Sequence, residues 1–215
     1  MSGIFDLLGA MSGAGPGFFG VSRAEVVDNM DTLGLGRVQI SLAWQPDVEP
    51  WAPVAVLSAG NDRGTWFMPQ VGDEVLVAFE HGDPLQPFVI GSLWNGTDSP
   101  PATGPTDATS LRVVKTPAGH EIELDDTQQS ITITSWSGQT VSIDAQQIEL
   151  SAGSGAAKVT LKTAGTLSIE AATSLELKAP SIKLSATNLE LSGDVSTTLK
   201  GGANCTVQGG LVRIN

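Results

Sequence analysis

The chain has 215 residues, 40% apolar and 5% aromatic, with a formal charge of -12 from 23 acidic and 11 basic side chains. That is enough apolar material for one or two cored domains, while the acidic balance argues against a phosphate-binding surface, because nucleic-acid affinity rests on basic residues that displace counterions. The single cysteine, Cys205, excludes an intrachain disulfide framework and a Cys-x-x-Cys zinc site and reads as a buried bystander.

Residues 1–19 carry apolar side chains at Ile4, Phe5, Leu7 and Leu8, with no basic residue before them and no long apolar run. The segment is therefore neither a signal peptide nor a membrane span. Gly13, Gly15, Pro16 and Gly17 break any helix there, which leaves a short docking arm or a free tail. Residues 20–94 read as short strands at 19–27, 37–42, 51–58, 74–79 and 87–93. Breakers at Gly34, Gly36, Pro46, Pro50, Gly60, Gly64, Gly82 and Pro84 separate them. No stretch shows capped helical periodicity, so the class is all-β. Five strands suit a small barrel of the OB type, although periodicity alone does not separate it from a sandwich. Residues 95–110 (NGTDSPPATGPTDATS) have the composition of a linker.

From residue 111 onward the architecture changes. Aliphatic residues come as i, i+2 pairs: Ile122 and Leu124, Ile131 and Ile133, Val141 and Ile143, Ile148 and Leu150, Val159 and Leu161, Leu167 and Ile169. Leu175 and Leu177, Ile182 and Leu184, and Leu189 and Leu191 continue the series, which weakens to Leu199 and Val207. Each pair puts two side chains on one face of a short strand, and small or polar residues between pairs supply the corners. One such strand has one apolar face and two open edges, and is not stable alone. The 7–8-residue period differs from the hexapeptide unit of a single-chain left-handed β-helix. Equivalent units therefore point to three identical chains intertwined about a threefold axis, with strand edges paired between chains and the aliphatic pairs buried along the axis. The expected trimer core from residue 131 onward is the ladder from Ile131 to Leu191.

The stretches GRVQISLAWQPDVEPWAPVAV (residues 36–56) and AGNDRGTWFMPQVGDEVLVAFEHGDPLQPFVIGSLWNG (59–96), followed by KTPAGHEIELDDT (115–127), resemble the OB-fold barrel and barrel-to-needle segment of phage tail-spike proteins and the VgrG spikes of type VI secretion. With the repeats, the resemblance covers nearly everything after residue 19. It implies an OB-fold collar at 20–94 and a trimeric β-helical needle at 111–215, in a non-enzymatic central spike that docks to a hub and meets the target envelope first. Only about twenty residues precede the barrel, which implies a separate baseplate hub protein. The linker is too short for an inserted lysozyme domain. Some spikes of this kind bind iron at the tip through His-x-His pairs, but the two histidines here, His81 and His120, lie well before the end, so no tip metal is expected. The terminal GGLVRIN resembles blunt spikes capped by a separate PAAR-type protein, for which Leu211, Val212, Arg213, Ile214 and Asn215 are the docking candidates. Assembly in the cytoplasm, into a virion baseplate or injection particle, is expected.

The other chemistries are weaker. His120, beside Glu121, Asp125 and Asp126, could be drawn as a metal or acid/base cluster, but reads better as a turn into the first needle strand. His81 reads as a hairpin-loop residue, with Gly82 and Asp83 making the turn. Asp73 and Glu74 are adjacent strand positions whose side chains diverge. No Gly-x-Ser-x-Gly, His-Glu-x-x-His, P-loop or Gly-x-Gly-x-x-Gly signature is present, so neither catalysis nor a cofactor is expected. The competing reading is a carbohydrate-binding OB module on a β-helical stalk, an adhesin, with Trp44, Trp51, Trp66 and Phe67 as its ring platform.

Overall fold

The computed structural model describes residues 17–213 and is all-β apart from two single turns of helix. The N-terminal arm up to residue 16, and Ile214 and Asn215, lie outside the described residues.

The first sheet contains β1 (Val21–Asp28), β2 (Arg37–Ser41), β3 (Trp51–Pro53), β6 (Glu74–Phe79) and β7 (Pro87–Leu93) in the order β3-β2-β1-β6-β7. All neighbours pair antiparallel. The two outer strands then meet: Val54 bridges Val89 in parallel, and the Ala55 amide donates to the Val89 carbonyl at 2.8 Å. This closure gives the five-stranded barrel expected for an OB fold. Alternation fills it, since Ala24 and Val26 of β1, Val38 and Ile40 of β2, Ala52 of β3, Val75 and Val77 of β6 and Val89 of β7 all point inward and are buried with Leu42. Burying each of the Val, Ile and Leu side chains stabilises the barrel by about 1.5–3 kcal/mol before entropy is counted.

Three details depart from the sequence reading. The strand expected at 51–58 ends at Pro53, because the chain leaves β2 there to close against β7. A two-stranded ribbon, β4 (Ala59–Gly60) and β5 (Arg63–Gly64), lies in what read as a loop. Gly64 has φ +145°, and a Cβ there would lie 2.3 Å from the Ser58 carbonyl oxygen, so no larger residue fits the ribbon. The linker ends in a single helical turn, α1 (Asp107–Ser110).

One carboxylate organises the β1–β2 loop. Asp31 accepts hydrogen bonds from the amides of Leu33, Leu35 and Arg37 and pairs bidentately with the Arg37 guanidinium at 2.8 and 3.1 Å. The Arg37 side chain, and then the three amides, hold the Asp31 carboxyl well below the usual carboxylate range, against a smaller opposing effect of desolvation. A carboxyl depressed in the folded state stabilises above its unfolded pKa, and that contribution is lost as pH falls through the depressed value. Arg37 also lies over the Trp51 ring, 5.5 Å from its centroid. Asp31→Asn is therefore expected to shift Trp51 fluorescence at neutral pH, and wild type only in strong acid. An identical acid titration in both proteins would contradict the role of Asp31.

The second sheet is a seven-stranded antiparallel meander in chain order: β8 (Leu111–Lys115), β9 (Glu121–Asp125), β10 (Ser130–Thr134), β11 (Thr140–Ile143), β12 (Gln147–Ala152), β13 (Ala157–Lys162) and β14 (Thr166–Ala171). Its hairpins follow from local chemistry. At one end of the strands Gly119 and Gly138 take positive φ in the β8–β9 and β10–β11 turns. At the other, the side chains of Asp125 and Asp144 each accept two amides from the following turn. The sequence reading paired these strand edges between chains; for β8 to β14 the pairing is instead within one chain. β8 also precedes what read as the first strand, so His120 sits in the β8–β9 hairpin.

Residues 170–215 form a separate unit. From residue 172 to 213 no strand or helix is formed within the chain. The aliphatic residues Leu175, Leu177, Ile182, Leu184, Leu189 and Leu191 are all exposed there. Cys205, expected to be buried, is exposed as well.

Candidate functional site

The hairpin register turns the i, i+2 pairs into two continuous rows across the second sheet. One row runs Val114, Ile122, Ile133, Val141, Leu150, Val159. The other runs Leu124, Ile131, Ile143, Ile148, Leu161. Directly opposed residues of an antiparallel pair share a face, so all eleven side chains lie on one surface. Leu167 and Ile169 are alternate residues of β14, at the end of the same sheet. Val114 belongs to the first row although the sequence reading did not include it; its i-2 neighbour is Arg112, which breaks the pair pattern.

Burial across this sheet is inverted for a lone chain. Ile122, Leu124, Ile131, Ile133, Ile143, Ile148, Leu150 and Leu161 each keep 40–46% of their surface exposed. On the opposite face Thr160 and Asp125 are buried at 6% and 8%, and the Glu121, Glu123, Thr132, Ser142 and Glu149 side chains are half-buried. On that face Lys115 pairs with Glu121 at 2.6 Å, Lys158 pairs with Glu149 at 2.7 Å, and Asp125 holds its own turn, while Leu111 and Val113 of β8 lie opposite Asp125 and Glu123. Among the described residues the aliphatic face has no such closure. A contiguous apolar surface of this extent marks an interaction site.

The remaining candidates are dispersed. His120 Nδ1 accepts a long hydrogen bond, 3.4 Å, from the Trp136 amide, while Glu121 is held by Lys115 and Asp125 lies at the far end of β9. Among the described residues no group of three His, Cys, Asp or Glu side chains converges as a metal site. His81 has φ 49° in the tight turn Glu80–Gly82. Asp73 accepts the Gln70 amide, whereas Glu74 faces Arg23 at 3.4 Å, so the two carboxylates serve separate contacts. The four rings of the supposed platform are divided. Trp44 stacks on Phe18 at 5.2 Å, edge-on to Phe79, and donates to the Ser22 hydroxyl; Trp51 lies under Arg37; Trp66 and Phe67 are exposed and line two different grooves. Leu211 and Val212 are exposed, and Arg213 is the last described residue.

Two family models match the chain, together covering more than half of it. Residues 22–94 match the type VI secretion system/phage-baseplate injector OB domain, and residues 112–173 match the phage baseplate V C-terminal trimerisation domain. The barrel and the second sheet coincide with these two matches. Among curated relatives, the type VI secretion system spike protein VgrG1a of Pseudomonas aeruginosa is 30% identical over 104 residues, 42% of this chain and 16% of the relative. VgrG2a of the same organism is 32% identical over 108 residues, 45% of this chain and 13% of the relative. The actin cross-linking toxin VgrG1 of Vibrio cholerae is 35% identical over 80 residues, 34% of this chain and 7% of the relative. The aligned region therefore spans less than a fifth of each of these relatives. No helix of the described residues is long and apolar enough to cross a membrane.

Proposed function

Because the chain belongs to the phage-baseplate V spike family, we propose that it is the non-enzymatic central spike of a contractile injection machine, working as a homotrimer. Residues 20–94 form the collar that docks to a separate hub protein, and residues 111–215 form the needle that transmits the force of contraction into the target envelope. The observation that carries this reading is the open aliphatic face of the second sheet, which a lone chain leaves in water and three chains about an axis would bury. Ile131, Ile133, Val141, Ile143, Ile148, Leu150, Val159, Leu161, Leu167 and Ile169 then form the trimer core. The exposed pairs from Leu175 to Leu191 continue it where strands form only between chains. An intertwined prism of this kind resists stepwise unfolding of one chain and so dissociates slowly, as a needle requires. Leu211 to Asn215 are the docking end for a PAAR-type tip protein, and assembly takes place in the cytoplasm.

Disrupting the gene in the cell that makes the protein tests the role. The expected result is loss of assembled contractile particles in negative-stain images, restored by wild type in trans. Intact, active particles in the disrupted strain would contradict it.

A further inference from the structure

The linker opens on a turn that carries a chemistry of its own. The sequence holds a single Asn-Gly pair, Asn95–Gly96, directly after β7. Residues 95–98 close on themselves through hydrogen bonds. The Asn95 backbone amide donates to the Asp98 carbonyl at 3.1 Å, and the Asn95 side chain donates from Nδ2 to Asp98 Oδ2 at 3.0 Å. In return, Asn95 Oδ1 accepts the Thr97 amide at 2.8 Å and the Asp98 amide at 2.7 Å. Two backbone donors thus converge on one side-chain oxygen, the arrangement that stabilises negative charge developing on a carbonyl. The preceding amide, that of Gly96, makes no hydrogen bond among the described residues. Gly96 is exposed, and a Cβ built on it would meet no atom within 4 Å. Asn29 shows the contrast, because the amide of the residue that follows it, Met30, is held by Asp28 Oδ1 at 2.8 Å.

We propose that Asn95–Gly96 is a self-modification site, at which the fold drives Asn95 through a cyclic succinimide to isoaspartate and aspartate with water as the co-reactant. The Gly96 nitrogen gives up its proton to hydroxide and bonds to Asn95 Cγ, while the displaced electron pair moves onto Oδ1. The Thr97 and Asp98 amides already point at that oxygen, and their bonds strengthen as it becomes negative. The Cγ–Oδ1 double bond then reforms, the Cγ–Nδ2 bond breaks, and Nδ2 takes a proton from water and leaves as ammonia. Water opens either carbonyl of the ring, and no oxidant or reductant is required. Asp98 Oδ2 fixes the plane of the side-chain amide, so the reacting carbon is held in position rather than found by chance. Glycine at 96 leaves the attacking nitrogen uncrowded and its backbone free to reach the ring geometry. The change is one-way. Isoaspartate adds a methylene to the main chain and puts a carboxylate beside Asp98 in place of a neutral amide, so like charges oppose the closed turn. It falls between the barrel match at 22–94 and the trimerisation match at 112–173, and loosens the start of their link in molecules that have aged. The chemistry is independent of oligomeric state.

The test incubates the purified full chain in mildly alkaline buffer, native and in guanidinium, and follows residue 95 over time. Succinimide is read by hydroxylamine cleavage into fragments 1–95 and 96–215, and isoaspartate by peptide mass mapping with isoaspartate-directed methyltransferase labelling. The expected result is conversion about tenfold faster in the native chain than in the denatured one, the effect of one charge-assisted hydrogen bond gained at Oδ1. Thr97→Pro, which removes one of the two amide donors, is expected to bring the native rate down towards the denatured rate, and Asn95→Gln to give neither product. A native chain that converts no faster than the denatured chain overturns the proposal whatever the variants do. A folded Thr97→Pro protein that converts at the wild-type native rate overturns it as well, because the amide cradle would then have no part in the reaction.

Discussion

Ile131→Asp is expected to abolish assembly and leave a soluble species near the monomer mass of 22.2 kDa, whereas Thr132→Asp, one residue on, is expected to leave the oligomer intact. Ile131 lies in register between Leu124 and Ile143, in the middle of an aliphatic row, and Thr132 faces the polar side between Glu123 and Ser142. Trimer formation would take three aspartates out of water with no partner, at an effective cost of several kcal/mol for each unpaired ion. On the polar face the same charge keeps contact with water, at the smaller cost of lying opposite Glu123. The two variants differ in face and hardly at all in sequence position, so equal behaviour of the pair in light scattering would show that the aliphatic face has been assigned wrongly.

Ile40→Ala should unfold the barrel at markedly lower temperature without changing the oligomer mass. Ile40 is fully buried between the β1 and β3 contacts of β2, in a small cluster of buried apolar side chains against which Val54, Met68 and Phe79 also pack. Truncation there removes the transfer free energy of the lost methyl groups and leaves a cavity, together about 2–5 kcal/mol. That is a large share of the roughly 5–15 kcal/mol by which a small domain is stable. Calorimetry should separate the barrel transition from that of the trimerisation domain, and a shift smaller than about 1 kcal/mol would mean that the barrel core does not limit its stability.

The barrel was largely legible because its strands alternate with strong breakers: β2, β6 and β7 follow from Val38 and Ile40, Val75 and Val77, and Pro87 to Leu93. The ribbon at 59–64 was not, since two strands of two residues, Ala-Gly and Arg-Gly, present no alternation to read. In the second sheet the period of two located each strand and assigned its aliphatic face, but side-chain alternation does not record which neighbour takes the backbone hydrogen bonds. The signals for pairing within one chain were the turn residues: Gly119 and Gly138 at one end, Asp125 and Asp144 at the other. Val114 stayed hidden because Arg112 occupies the second position of its pair, and only the register with Ile122 places it in the row. Beyond residue 171 the same aliphatic pairs continue without strands in the chain itself, since a lone strand with open edges gains too little to order itself.

The most direct test of the central claim is the absolute mass of the purified full chain by light scattering, read beside an unheated denaturing gel. The account predicts a mass near three times 22.2 kDa, with a species that survives detergent until it is heated. A clean monomer with the aliphatic face still in water would contradict it.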